Sequence, residues 1–249
     1  MTEQRRTADE RVIRKQTRRA FLGLATFGAA ALTGWEWLWS RPLADGVPRP
    51  FRSVLDFDGG VASRLGFSEG RLAPQFPPER IGALRANGDI GLDDDVHDSE
   101  WRVAVTPPNA PAQSVTLAEI QALPKVEHIT EFKCIEGWST VVHWAGARFS
   151  DFVARHAPGS ARASFVGLAT PDREYFVGVD IASMLHPQTL LCYEMNGQPL
   201  SDDHGAPLRL VMPVKYGIKN IKRIASISFD DRRPPDYWAE QGYDYYAGL

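Results

Sequence analysis

Three features of the 249-residue sequence predict an α+β domain built on a mixed sheet with short helices. Short β-like runs alternate with short capped helical stretches. Those helices are too brief and too unevenly spaced to cover a doubly wound parallel sheet, and no GxGxxG or P-loop follows any strand candidate. Hydrophobic residues at 43% and charged residues at 24% are ordinary globular usage and exclude a disordered chain. A net charge of -3 offers no general attraction for nucleic acid, so none is expected as a partner and any phosphate chemistry must use local cations.

Residues 1–40 read as an address. Seven of the first nineteen residues are Arg or Lys, and no charge occurs from Ala20 to Leu32, the basic-then-apolar order of a signal segment. The core TRRAFLG, Thr17 to Gly23, matches the twin-arginine pattern, which addresses folded cargo to a bacterial export translocase. Cargo exported folded commonly carries a cofactor inserted beforehand, so a complex metal cofactor is favoured. Ala29-Ala30-Ala31 offers a small-residue cleavage site. Phe21 to Trp39, ending in Trp35, Trp37 and Trp39, has the length of an uncleaved anchor, so both a cleaved signal and a membrane anchor stay open.

Residues 41–78 are rich in Pro, Gly and Arg with weak periodicity and are expected to be a linker that wraps irregularly over the surface. The catalytic or binding domain is placed at 79–249. Its strand candidates are Trp101–Val105, His128–Cys134, Ser164–Ala169, Tyr175–Val179, Leu208–Met212 and Ile224–Phe229. Helices are signalled by their caps: Thr116 with Glu119 forms a capping box before LAEIQAL, Ser150 precedes DFVARH, and Asp180 precedes IASMLH. The acidic run Asp93-Asp94-Asp95 with Asp98 reads as a solvated loop, with a hard-cation site as the alternative.

Cys134 and Cys192 are the only cysteines, too far apart for CxxC chemistry, which leaves a single disulfide or two separate thiols. The six histidines show no HxH, HxxxH or HExxH spacing, so a zinc site is not expected. Cys134 stands where a strand-like run gives way to Glu136-Gly137-Trp138-Ser139, a composition that predicts a tight turn. The second notable stretch, Asp202 to Ile224, sets His204, Arg209, Lys215, Lys219, Lys222 and Arg223 among glycines and apolar residues. Such a cluster suits an anion, because glycine lets backbone N–H groups approach and Arg grips planar oxyanions; a solvated basic face is the alternative.

KCIEGWSTVVHWAGARFSDFV and YEMNGQPLSDDHGAPLRLVMPVKYGIKNIKRI, in that order, resemble the molybdopterin-binding domain of the sulfite oxidase superfamily. The nearest branch contains the bacterial periplasmic protein-methionine-sulfoxide reductase catalytic subunit, and the resemblance covers roughly residues 80–245. It implies a sulfite-oxidase-like fold, a molybdopterin cofactor with molybdenum, and Cys134 as the thiolate that binds the metal beside the two pterin sulfurs. It implies also that His204 and Arg209 clamp the pterin, and that Asn220-Ile221-Lys222 hold the cofactor phosphate. Thr170 and Asn87 match further cofactor-contacting positions, and Cys192 matches no functional position.

Where animal and plant sulfite oxidases follow the metal cysteine with an arginine-bearing pattern, this chain has Ile135-Glu136-Gly137-Trp138. A carboxylate beside the ligand repels sulfite, so a neutral sulfoxide, small or protein-bound, is the expected oxygen donor, with Glu136 paired to Cys134 in the catalytic set. Sulfite dehydrogenation and a non-catalytic cofactor-binding role are the alternatives. No haem-attachment CxxCH is present, so electrons are expected from a separate membrane haem subunit, outside the cytoplasmic membrane in the periplasm.

Overall fold

The protein is described by a computed structural model over residues 2–93 and 100–249, with the backbone alone for residues 2–13. Helix α1 (Thr2–Trp39) carries the basic and apolar N-terminal segments as one uninterrupted helix. Among the described residues no helix is long and apolar enough to cross a membrane. Strands β1 (Leu43–Ala44) and β2 (Val47–Pro48) form a small hairpin.

The structure corrects the expected irregular wrap at this point, because Arg49–Leu65 forms helix α2. Proline in the first turn is compatible with a helix start, where no intrahelical N–H bond is lost. The helix was masked in the sequence by Gly59-Gly60, and Gly59 is there for packing. A Cβ at Gly59 would stand 2.9 Å from Asp244 Oδ1 and 3.0 Å from Tyr246 Cβ. Residues 71–77 lack helix, as expected of that part of the segment. Asp94, Asp95 and Asp98 of the acidic run lie outside the described residues.

The domain is built from β3 (Arg102–Thr106), β4 (Gln113–Thr116), α3 (Leu117–Gln121), β5 (Lys125–Lys133), β6 (Ser139–Arg148), α4 (Phe149–His156), β7 (Phe165–Ala169), β8 (Phe176–Asp180), α5 (Ile181–Met184), β9 (Leu190–Met195), β10 (Gln198–Pro199), β11 (Arg209–Val211), β12 (Ser226–Asp230) and α6 (Tyr237–Glu240). One sheet runs β10-β9-β6-β5 with β11 also on β9, and the other runs β4-β3-β12-β7-β8. Among the described strands only β12 with β3 is parallel; the remaining ladders are antiparallel, so the α+β, mixed-sheet class holds.

Strand β9 explains how the layers stack. Leu191 and Tyr193 join the large core that also takes Val105, Phe149, Val166 and Ile227, whereas Leu190 and Cys192 join a second cluster with Val142, Trp144 and Val211. Successive side chains of a strand point to opposite faces, so this first sheet is buried on both. The second cluster is flanked by the 75–84 segment, which bridges Gln75 to Thr130 and Ile81 to Val141 and adds Leu84.

The predicted caps are present at two helices. Thr116 and Glu119 complete the capping box of α3, and Asp180 accepts from the Ser183 N–H at the start of α5. Helix α4 differs, starting at Phe149 after Arg148 with no side-chain cap. Burial of Phe149, Phe152 and Val153 fixes that helix instead.

Candidate active site

The β5–β6 hairpin positions Cys134. Lys133 pairs with Ser139, leaving residues 134–138 as the loop. The Cys134 N–H donates to the Trp138 carbonyl at 2.9 Å and the Gly137 N–H to the Cys134 carbonyl at 3.1 Å. Gly137 has φ of +89°, a conformation glycine adopts without steric cost. The turn leaves the thiol half-buried at the wall of a cavity of about 310 Å³, and both cysteines are free thiols. Cys192 is fully buried, donates to the Glu194 carbonyl at 3.1 Å, and has its thiol pushed up to about 12 by burial.

The cavity wall also includes Asn87, Glu136, His204, Arg209, Asn220 and Lys222. Asn87 Nδ2 lies 3.8 Å from Cys134 Sγ and 3.3 Å from Glu136 Oε2. Trp138 Nε1 donates to the same carboxylate oxygen at 3.0 Å. These two donors, Trp138 first, hold the exposed Glu136 carboxyl below its usual range, so it is ionised at neutral pH. A negative charge is therefore fixed at the rim next to the thiol.

The floor is cationic. Arg209 is 2% exposed, and its Nη1 and Nη2 donate to the carbonyls of His204 (3.0 Å) and Asn220 (3.3 Å). Its Nε has no hydrogen-bond partner, and no carboxylate pairs with it among the described residues. The guanidinium stacks 5.0 Å from the Trp144 ring centre, and burial pushes its pKa down to about 10. Lys222 Nζ donates to the carbonyls of Asn87 (3.0 Å) and Gly88 (2.7 Å), also without an ion-pair partner among the described residues. Burial first, then the Arg209 charge, brings Lys222 down to about 8. His204 Nδ1 is buried without a partner; burial, then Arg209 and Lys222, hold the imidazole below its ordinary pKa.

Gly205, at φ +92°, lets the chain turn between His204 and Arg209, because a Cβ there would meet Lys222 Cβ at 2.6 Å. Asn220 is locked by its own amide, accepting from Met212 N–H at 2.6 Å and donating to the Tyr216 carbonyl at 3.1 Å. Two predicted residues stand outside the cavity wall. Ile221 is a core residue whose carbonyl accepts from Leu210 N–H, and Thr170 packs against Gly91 while donating to Asp172 Oδ1 at 2.6 Å. Thr170 thus sits behind the 84–92 strap.

The remaining cations of the basic run form neither a solvated face nor part of the wall. Lys215 pairs with Asp180 at 3.1 Å, Lys219 with Asp236 at 2.5 Å, and Arg223 donates to the carbonyls of Ala206 and Leu92. All three are buried. Sequence reasoning passed over Arg85, Tyr175 and Trp238, which also line the cavity. Tyr175 hangs its hydroxyl on the Ile218 carbonyl at 2.7 Å, and burial pushes its pKa up.

A half-buried thiol facing a cavity where the Arg209 Nε donor and the His204 Nδ1 ring nitrogen are buried without partners fits a group bringing both a soft metal and an anion. The profile of the oxidoreductase molybdopterin binding domain matches residues 90–238, more than half of the chain. Over 241 residues the chain is 33% identical to a protein of Azospira oryzae provisionally named a protein-methionine-sulfoxide reductase subunit, YedZ1, spanning 93% of this chain and 87% of that one. The protein-methionine-sulfoxide reductase catalytic subunit MsrP of Ralstonia nicotianae is 29% identical over 93% of this chain and 75% of its own. Among solved structures, the sulfane dehydrogenase SoxCD of Paracoccus pantotrophus shares the fold at a TM-score of 0.51 and 14% identity, over 56% of this chain and 40% of that chain.

The fold and the site together define a molybdopterin-dependent oxidoreductase. The chain belongs to the oxidoreductase molybdopterin-binding domain family, and its cofactor is molybdopterin with molybdenum.

Proposed function

We propose that the chain reduces sulfoxides, including methionine sulfoxide in proteins, as the catalytic subunit of an exported reductase. The observation that carries this reading is Arg209, a buried guanidinium without a carboxylate partner among the described residues, in the same cavity as Cys134 and behind a rim carboxylate. Cys134 would hold the molybdenum through its thiolate. Arg209, His204, Lys222 and Asn220 would grip the pterin and its phosphate, and Asn87 would steady the thiolate by its amide. Ile221 and Thr170 would act from behind, through the backbone that they anchor.

The bound cofactor would supply the two electrons for reducing an S=O group, whose oxygen would be released as water after uptake of two protons. The protein's share is selection and placement. The ionised Glu136 disfavours sulfite and sulfate, while a neutral S=O group meets no such barrier. Trp138, Tyr175 and Trp238 give the cavity aromatic wall for a thioether side chain. The relatives' names supply the substrate class, since they are protein-methionine-sulfoxide reductase subunits.

The twin-arginine core at Thr17–Gly23 supports export of loaded protein by the translocase to the periplasm, with a leader at 1–40, a connecting segment at 41–78 that carries helix α2, and the domain at 79–249. Electrons would come from a separate membrane haem subunit. The test is purification of the full-length protein from a host that makes the cofactor, followed by metal and pterin analysis and reduced-dye oxidation. Oxidation of the reduced dye by methionine sulfoxide, with no sulfite-dependent reduction of an external acceptor, supports the reading; sulfite-dependent reduction of an external acceptor with inert sulfoxides overturns it.

A further inference from the structure

Helix α2 is amphipathic with its apolar side turned away from the domain. Val54, Phe57, Val61 and Leu65 recur at steps of three and four residues, so they share one face, and they are 59%, 70%, 39% and 81% exposed. Arg52 and Gly59, the residues the helix buries, lie on the opposite side. That side is fastened mainly by polar contacts. Arg52 donates to the carbonyls of Ala239 (2.5 Å), Tyr243 (3.0 Å) and Asp45 (2.9 Å), and Asp56 pairs with Arg233 at 2.7 Å. A single exposed apolar side chain needs no explanation; four along one helix face do.

The surroundings of the stripe indicate what covers it. The Trp39 ring stands 5.9 Å from that of Phe51, which joins α2 to the end of α1, where Leu32, Trp35 and Trp39 are exposed at the same three- and four-residue steps. Leu43 is exposed between them. Arginines edge the stripe: Arg41 and Arg49 at one end, Arg64 and Arg71 at the other, with Arg41 over the Trp37 ring at 4.4 Å. Of the nearby acids, Asp45 and Asp56 are taken up by Arg233, which leaves these four arginines against the exposed Asp58 and Glu69. Tryptophan and apolar side chains bordered by arginine match the headgroup region of a bilayer with anionic lipid, which accepts rings and aliphatic stems while its phosphates meet the guanidinium groups.

We infer that α2 lies along the surface of an anionic membrane, with Val54, Phe57, Val61 and Leu65 in the headgroup layer. This does not depend on the chemistry assigned to the cavity. The attachment is rigid, since Arg52 holds the carbonyl of Ala239 and the preceding residue, Trp238, lines the cavity. Docking of α2 therefore sets the orientation of the cavity mouth relative to the bilayer.

The experiment uses full-length, cofactor-loaded protein with vesicles of phosphatidylcholine alone or with phosphatidylglycerol added, read by co-sedimentation and by hydrogen exchange over residues 54–65. Wild type should bind the anionic vesicles and exchange more slowly there. Phe57→Ser with Leu65→Ser should bind about tenfold more weakly and lose that slowing, with dye activity and metal content unchanged as evidence of folding. Should the double variant fail to fold, Arg64→Glu leaves the apolar stripe intact and should weaken binding to the anionic vesicles alone by about threefold. Equal vesicle binding by wild type and either variant, or slowing confined to α1, overturns the inference. So does a wild-type dimer that the double substitution dissolves, which would give the face to a second copy of the chain.

Discussion

The amide of Asn87 reaches to 3.8 Å from the sulfur of Cys134, across 47 residues of chain. An amide so placed covers the sulfur, and the same amide restrains Glu136, so one side chain serves both the metal-ligand candidate and the rim charge. Asn87→Ala uncovers the sulfur and should therefore speed alkylation of Cys134 in cofactor-free protein by about three- to tenfold at fixed pH. Timed labelling with iodoacetamide, followed by peptide mass analysis, checks this, with buried Cys192 as the unlabelled internal control.

Replacing Arg209 removes a buried charge that no carboxylate among the described residues neutralises. Arg209→Met should weaken cofactor retention about ten- to a hundredfold, equivalent to the 1.5–3 kcal/mol of a charged hydrogen bond. Pterin fluorescence and molybdenum content after gel filtration report it. Wild-type retention would mean that the guanidinium serves the fold alone.

Lys222 gives the site a pH dependence of definite sign. In the folded, cofactor-free protein it loses its proton as pH rises through about 8, whereas in the unfolded chain it keeps it to its ordinary 10.5. The unfolded state therefore binds more protons between those values, so this group makes the fold less stable as pH falls from 10.5 toward 8. An anion favours the protonated lysine, so pyrophosphate should bind the cofactor-free protein more weakly as pH rises from 7 to 9. Isothermal titration should show that loss in wild type and a flatter profile in Lys222→Met.

Lys219 lies near Lys222 in sequence but belongs to another part of the molecule. It pairs with Asp236 inside the protein, with both side chains at 2% exposure or less. Lys219→Met leaves Asp236 buried without its cation and should cost about 3–5 kcal/mol of stability. Thermal denaturation of the cofactor-free protein measures this, and a shift confined to cofactor affinity would contradict it.

Much of this was legible where the determining contacts are local. The glycine and serine after Cys134 announce the hairpin loop, and Thr116 with Glu119 announces α3, because both depend on neighbours within a few residues. Strands β6 and β9 were passed over, since a sheet buried on both faces yields apolar runs such as LLCYEM without polar alternation. Separating Lys219 from Lys222 needs knowledge that Asp236 comes beside one and the Asn87–Gly88 carbonyls beside the other. Tyr175 and Trp238 reach the cavity from remote segments, and no spacing marks them.

The Cys134 thiolate is proposed to complete the metal's sulfur ligands. Molybdenum K-edge X-ray absorption of loaded wild type and Cys134→Ser tests it most directly. One fewer metal–sulfur bond is expected in Cys134→Ser, with no turnover, and an unchanged sulfur count in Cys192→Ser. An unchanged sulfur shell in folded, loaded Cys134→Ser would contradict it.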